Sequence, residues 1–223
     1  MLRSLGWHLN HWAGLVLESP CPLCRRSSPK ALCADCGQRV QDCAIAPGWQ
    51  QRALPVFAWG QYEGGLKRAI AALKYEANPY LAHQLGDWMA AHWHTSQPPH
   101  PQFTVVPIPL HADKLKARGF NQAAWLAKRF CAQTGLPLMP HGLERIRATQ
   151  AQFQVAGRDR RQNVQGAFQV SQSLLSRKVK TPILLLDDIY TTGATAHTAA
   201  HTLRQQGITV KGIVVLAITR PER

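Results

Sequence analysis

Six side chains of this chain have types and spacings that can do chemistry by themselves. Cys21-Pro-Leu-Cys24 and Cys33-Ala-Asp-Cys36 are two C-x2-C pairs separated by eight residues. Each pair turns the chain so that both sulfurs can face one ion, and two pairs close a tetrahedral four-sulfur shell that suits Zn2+ in a reducing compartment. Four protein ligands leave no open position, so the expected role is structural. The segment has too few apolar residues to fold alone, and metal binding would supply its folding energy. Cys43 and Cys131 stand apart and read as ordinary thiols.

The second constellation is Ile183-Leu-Leu-Leu-Asp-Asp-Ile-Tyr-Thr-Thr-Gly-Ala-Thr195. Four apolar residues predict a buried strand that ends in two carboxylates, Asp187 and Asp188. Ligands of open α/β sheets bind at that edge. The segment Thr191, Thr192, Gly193, Ala194 and Thr195 then turns into a helix whose first amides lack internal partners and favour an anion. An anion cradle beside two acidic acceptors complements a sugar phosphate, with the phosphate in the cradle and vicinal hydroxyls on the acids. A Walker loop would need Gly-Lys-Ser/Thr and a dinucleotide fingerprint would need spaced glycines; neither occurs here. His197 and His201 share a helix face, but no Glu follows His197 as a metalloprotease requires, so both are expected at the surface.

Charge adds a partner class. The chain has 223 residues and 26 Lys and Arg against 12 Asp and Glu, for a net charge of +14. The excess is concentrated after residue 100, and especially around Arg145, Arg147, Arg158, Arg160 and Arg161. Such a patch attracts polyanions, either nucleic acid or a phosphate-rich small molecule. Phe120, Trp125, Phe153 and Phe168 lie nearby in sequence and could stack bases, although each alone is an ordinary core residue.

Elements that would position these groups follow from periodicity. Leu2, Leu5, Leu9, Trp12 and Val16 predict an amphipathic helix over 1–17, expected to pack on its own protein. The polar residues His8, Asn10 and His11 speak against a signal peptide, and the chain is expected in the cytoplasm. Residues 18–46 form the metal module, and 54–223 form the main domain. There, strands at Val56–Tyr62, Phe103–Ile108, Gly166–Val170, Ile183–Leu186 and Gly212–Ile218 alternate with helices around 66–73, 81–89, 121–133 and up to 206. Residues 111–120 read as a basic loop. The alternation predicts an α/β fold with a parallel sheet flanked by helices. The apolar runs are too short to cross a bilayer, and a globular balance with 45% apolar residues excludes disorder.

The acid-pair stretch resembles the phosphoribosyl pyrophosphate (PRPP) signature of type I phosphoribosyltransferases. The likeness narrows with Val106-Pro-Ile-Pro-Leu110, Arg118-Gly-Phe-Asn-Gln122, Tyr62-Glu-Gly64, Leu73-Lys-Tyr75, and the Arg145, Arg147, Thr149, Gln152, Arg160, Asn163 and Gly166-Ala-Phe168 series. Together with the cysteine tetrad these resemble the ComF family of competence-associated proteins, which includes the GntX type.

The resemblance implies a type I phosphoribosyltransferase-like domain behind an N-terminal zinc module. It implies PRPP held with Mg2+: ribose hydroxyls at Asp187 and Asp188, 5′-phosphate at Thr191–Thr195, and pyrophosphate near Lys74, Pro107 and Arg118. It further implies a role in natural transformation or use of imported DNA, with single-stranded DNA and a DNA-translocation helicase as partners. The alternative is an active phosphoribosyltransferase on an unidentified nitrogenous acceptor. The third acid that serves the base in 6-oxopurine enzymes is here Thr191, which cannot act as a general base near neutral pH. The sequence identifies no catalytic residue.

Overall fold

The computed structural model describes residues 19–96, 102–147, 166–177 and 179–220. The 1–17 segment, Thr149, Gln152, Phe153, Asn163, and the three arginines Arg158, Arg160 and Arg161 lie outside them. A small hairpin of β1 (Ser19–Pro20) and β2 (Ser27–Ser28) leads into helix α1 (Ala34–Gln41). Strand β3 (Trp49–Gln50) and β4 (Val56–Gln61) follow, then helices α2 (Gly64–Tyr75) and α3 (Pro79–His94). Pro79 occupies the first position of α3, and the Asn78 side chain accepts from the Leu81 N–H at 3.0 Å, so the Asn-Pro pair both ends one helix and starts the next.

Strand β5 (Thr104–Pro107), helices α4 (Ala112–Arg118) and α5 (Gln122–Thr134), and strand β6 (Leu143–Arg145) come next. The chain resumes with β7 (Phe168–Val170), α6 (Gln172–Ser176), β8 (Ile183–Tyr190), α7 (Ala194–Gln205) and β9 (Val210–Ile218).

Among the described residues the main sheet has the order β3-β4-β9-β8-β5, with β4, β9, β8 and β5 parallel and β3 antiparallel at one edge. This is the α/β architecture expected from the alternating pattern. Leu184 and Leu186 of β8 pack into the core under α2, α3 and α5, whereas Ile183 and Leu185 pack toward α7 and the β6–β7 hairpin. Burial on both faces is why the strand reads as an unbroken apolar run.

Differences from the sequence reading have local causes. The 111–120 loop holds α4, which has no buried residue and therefore no apolar stripe to read. Strand β8 continues through both aspartates, beyond its apolar run. Strands β3 and β6 are too short to show a period.

The cysteine module shares the first-face core. Cys21, Leu32, Cys36 and Val40 pack in one cluster with Leu66, Ala69, Leu73, Leu85 and Met89. Helices α1 and α2 touch so closely that a Cβ on Gly65 would lie 2.4 Å from the Arg39 carbonyl oxygen. Gly65→Ala is expected to cost about 1–3 kcal/mol through this backbone clash, read as a lower midpoint in thermal or urea unfolding.

Candidate functional site

Two places among the described residues carry chemistry. The first is the cysteine cluster. The Cys21-to-Cys24 knuckle is closed by the Arg25 N–H on the Cys21 carbonyl at 2.7 Å, with Arg25 itself in the left-handed region at φ 65°. The second knuckle is the first turn of α1, with Cys33 at the cap and Cys36 inside the helix. The four Sγ atoms lie within 4.8 Å of one another, and Cys24 and Cys33 are 3.6 Å apart. That spacing is far beyond an S–S bond and close to the roughly 3.8 Å edge of a tetrahedron with 2.3 Å zinc–sulfur bonds. The four thiols therefore fit Zn2+ as a closed shell.

Arg26 supports the cluster from outside. Its guanidinium reaches Cys24 Sγ at 3.4 Å and Cys33 Sγ at 3.7 Å and pairs with Asp35 at 2.6 Å. The Arg26 contact lowers the Cys24 thiol to about 6, while burial pushes Cys36 up to about 12. Cys43 and Cys131 lie outside this shell. Cys43 donates its thiol to the Arg39 and Glu63 carbonyls, and burial raises Cys131 to about 12.

The second place is the carboxyl-terminal edge of the parallel strands. Asp188 is only 4% exposed, and its Oδ2 forms an ion pair with the Lys74 ammonium of α2 at 2.7 Å. Asp187 accepts the Asp188 N–H at 2.8 Å. Burial, and then the neighbouring Asp188 charge, raise the Asp187 carboxyl well above the ordinary carboxylate range. Arg145 of β6 lies within Coulomb range of Asp187 and rests over the Phe168 ring at 5.4 Å. The acid pair is thus met by Lys74 from the first-face helices and by Arg145 from the hairpin on the second.

Lys114 of α4 stands among the neighbouring cations. Burial, with the charges of Arg145, Arg118 and Lys74, pushes its ammonium below the usual lysine range. Lys74 and Arg145 meet the two acids, and Lys114 and Arg118 adjoin these cations, an excess of positive charge that a ligand with several anionic oxygens would neutralise.

The glycine turn follows. Gly193 has φ 79°, and a Cβ there would lie 2.1 Å from the Tyr190 phenol oxygen, so that only glycine fits. Tyr190, 4% exposed, fills the crook beneath the turn, and its hydroxyl lies 3.3 Å from His197 Nε2. Thr192 Oγ1 accepts the Ala194 N–H at 3.4 Å, while the next amides of α7 begin the helix without intrahelical partners. Thr191 and Thr192 are exposed, and Ala194 and Thr195 are half-buried.

Of the pyrophosphate candidates, Pro107 ends β5 directly opposite Leu186, and the Ile108 N–H donates to the Leu186 carbonyl at 2.9 Å. The 107–110 turn is therefore held beside the acids, and Asn121 Nδ2 secures it through the Ile108 carbonyl at 3.0 Å. Arg118 donates to Gln122 Oε1 and lies 5.9 Å from the Tyr75 ring centroid. Asp187, Asp188, Lys74, Pro107 and Arg145 are thus gathered at one edge, with Lys114 and Arg118 on the adjoining helix.

Among the nucleic-acid candidates, Arg145 faces this site, and Arg147 is exposed just beyond β6. Phe120 and Phe168 are buried, and Phe120 stacks on half-buried Trp125 at 4.1 Å. Sequence reasoning missed Lys114 and the Tyr190–His197 support. His197 is half-buried instead of lying at the surface, and burial, with Arg204, lowers its pKa. The aromatic before Thr-Thr-Gly, seven residues ahead of a histidine on the following helix, was the available signal.

No protein-family model matches the chain. It is similar to Competence protein F of Haemophilus influenzae, 32% identical over 107 residues that cover 47% of this chain and 45% of that protein. It is also similar to Competence protein ComFC of Bacillus subtilis, 28% identical over 195 residues and 84% and 72% of the two chains. DNA utilization protein YhgH of Salmonella typhi is 24% identical over 214 residues, 89% and 87% of the two chains. The match thus spans less than half of the first of these relatives and most of the other two. Among solved structures, an adenine phosphoribosyltransferase of Trypanosoma brucei superposes at TM-score 0.43 with 8% identity, over 78% of this chain and 87% of that one.

Proposed function

We infer that this chain is a ComF-type protein that binds PRPP or a related sugar phosphate together with single-stranded DNA, and that it acts in the cytoplasm in the handling or use of imported DNA. The observation that carries the sugar-phosphate part is the single strand where Asp187 and Asp188 stand just before the Gly193 turn, met by Lys74 and Arg145, with Lys114 and Arg118 adjoining these cations. The acids accept from vicinal ribose hydroxyls, the amides at the start of α7 take the 5′-phosphate, and the cations take the diphosphate arm. Mg2+ bound with such a ligand would neutralise its phosphate oxygens. The DNA part is supported by the net charge of +14 and by the similarity to competence and DNA-utilization proteins.

Calorimetric titration with Mg-PRPP is expected to give saturable heat, and silence would defeat the sugar-phosphate part. Single-strand affinity is expected to fall with salt at a log–log slope of about −0.7 per neutralised phosphate. Affinity insensitive to salt would defeat the DNA part. Base transfer remains the second reading; pyrophosphate release that depends on an added nucleobase would establish it.

A further inference from the structure

Outside the acid-pair site, two concavities of about 530 and 300 Å³ run along the seam between the cysteine module and α2, and Arg68 lines both. The larger is bounded by Arg39, Asp42, Glu63 and Arg68, whose charges balance. The smaller is of a different kind. Its walls are Pro22 and Leu23 from the first knuckle and Ala71, Ala72 and Tyr75 from α2, with Arg68 and Glu76 at its rim. Tyr75 is 81% exposed, the largest exposure among the large hydrophobic side chains described.

We propose that this groove takes a nucleobase of single-stranded DNA, stacked on Tyr75 between the cysteine knuckle and the last turns of α2. The inference rests on the single-strand part of the proposed function and assigns it a place. A planar ring needs an apolar slot with an aromatic face, and Tyr75 supplies one without first being unburied. A base edge needs a donor and an acceptor. Arg68 gives one N–H to the Leu23 carbonyl out of the five its fork carries, and Glu76 offers a carboxylate that also pairs with Arg25 at 3.1 Å.

The flanking phosphates need cations: Arg118 lies over the ring at 5.9 Å, Arg68 lines the groove, and Arg25 is paired with Glu76 beside it. Lys74, the residue before Tyr75, reaches the acid pair, so the groove and the sugar-phosphate site share the last turn of α2. The metal module then has a recognition role, because its knuckle forms one wall of the slot.

Fluorescence anisotropy of the full zinc-loaded chain, with an oligo-dT strand and with an abasic strand of equal length, tests the assignment. Tyr75→Ala is expected to weaken oligo-dT binding by about 5- to 150-fold, the range for loss of one stacked base, and to leave the abasic strand unchanged. Tyr75→Phe retains the affinity. Ala71→Trp, which fills the slot from the same helical wall one turn before Tyr75, reproduces the selective loss. Wild type that prefers oligo-dT while both disruptive variants bind it normally would overturn the groove and leave single-strand binding standing. So would an equal loss on both strands, or equal wild-type affinity for both. A wild type that binds neither strand overturns the groove along with the reading beneath it.

Discussion

Asp187→Asn combined with Asp188→Asn is expected to weaken Mg-PRPP binding by about 100-fold or more, because each charged acceptor of a ribose hydroxyl contributes about 1.5–3 kcal/mol. Calorimetry measures the loss. Stability responds to the acid pair with the opposite sign. Burial and the Asp188 charge raise the Asp187 carboxyl far above its unfolded value. Between the unfolded and folded values the native state holds more protons than the unfolded one, so stability falls as pH rises through that window and stays lower above it.

Asp187→Asn alone removes this penalty and keeps an oxygen for the Asp188 N–H that Asp187 now accepts at 2.8 Å. It is therefore expected to stabilise the ligand-free chain at neutral pH by about 0.5–2 kcal/mol while impairing binding, the trade-off of a site strained for its ligand. A variant that binds normally, or that is destabilised at neutral pH and not at low pH, contradicts the assignment.

Removal of the metal is the second large effect. Elemental analysis should find one zinc per chain, and cobalt substitution should give the spectrum of a tetrahedral four-thiolate site. A metal present at about 1,000 times its dissociation constant stabilises the fold by about 4 kcal/mol, and each kcal/mol moves the melting point of a chain this size by roughly 2–4 °C. Chelation or Cys36→Ser should therefore lower the melting point by about 10 °C. The loss should reach the whole molecule, because Cys21 and Cys36 lie in the same core as Leu66, Leu73, Leu85 and Met89. A second, separate transition confined to residues 19–46 would show instead that the module melts by itself.

The parts legible from sequence were those where one chain segment carries the whole signal. The cysteine spacing, the Leu-Leu-Leu-Asp-Asp strand, the Asn78-Pro79 break and the Gly193 turn each state their geometry locally. The illegible parts depend on distant segments meeting. Lys74 reaches Asp188 across 114 positions of sequence, and Arg145 nears Asp187 only because the β6–β7 hairpin folds onto the second face of the sheet. Helix α4, with no buried face, offers no periodicity, so Lys114 looked like one more charge in a basic loop. The share of Cys21 and Cys36 in the main core was likewise invisible, since a metal-ligand spacing says nothing about what the module packs against.

Strand β9 lies between β4 and β8, although it is the last of the five to leave the ribosome. Residues 56–61 therefore wait for 213–218 before they can complete a ladder. Until then the emerging polypeptide exposes apolar edges on both sides of a gap, an invitation to self-association that chaperones must cover. Synthesis rate and growth temperature should consequently govern the yield of this protein more than its final stability does.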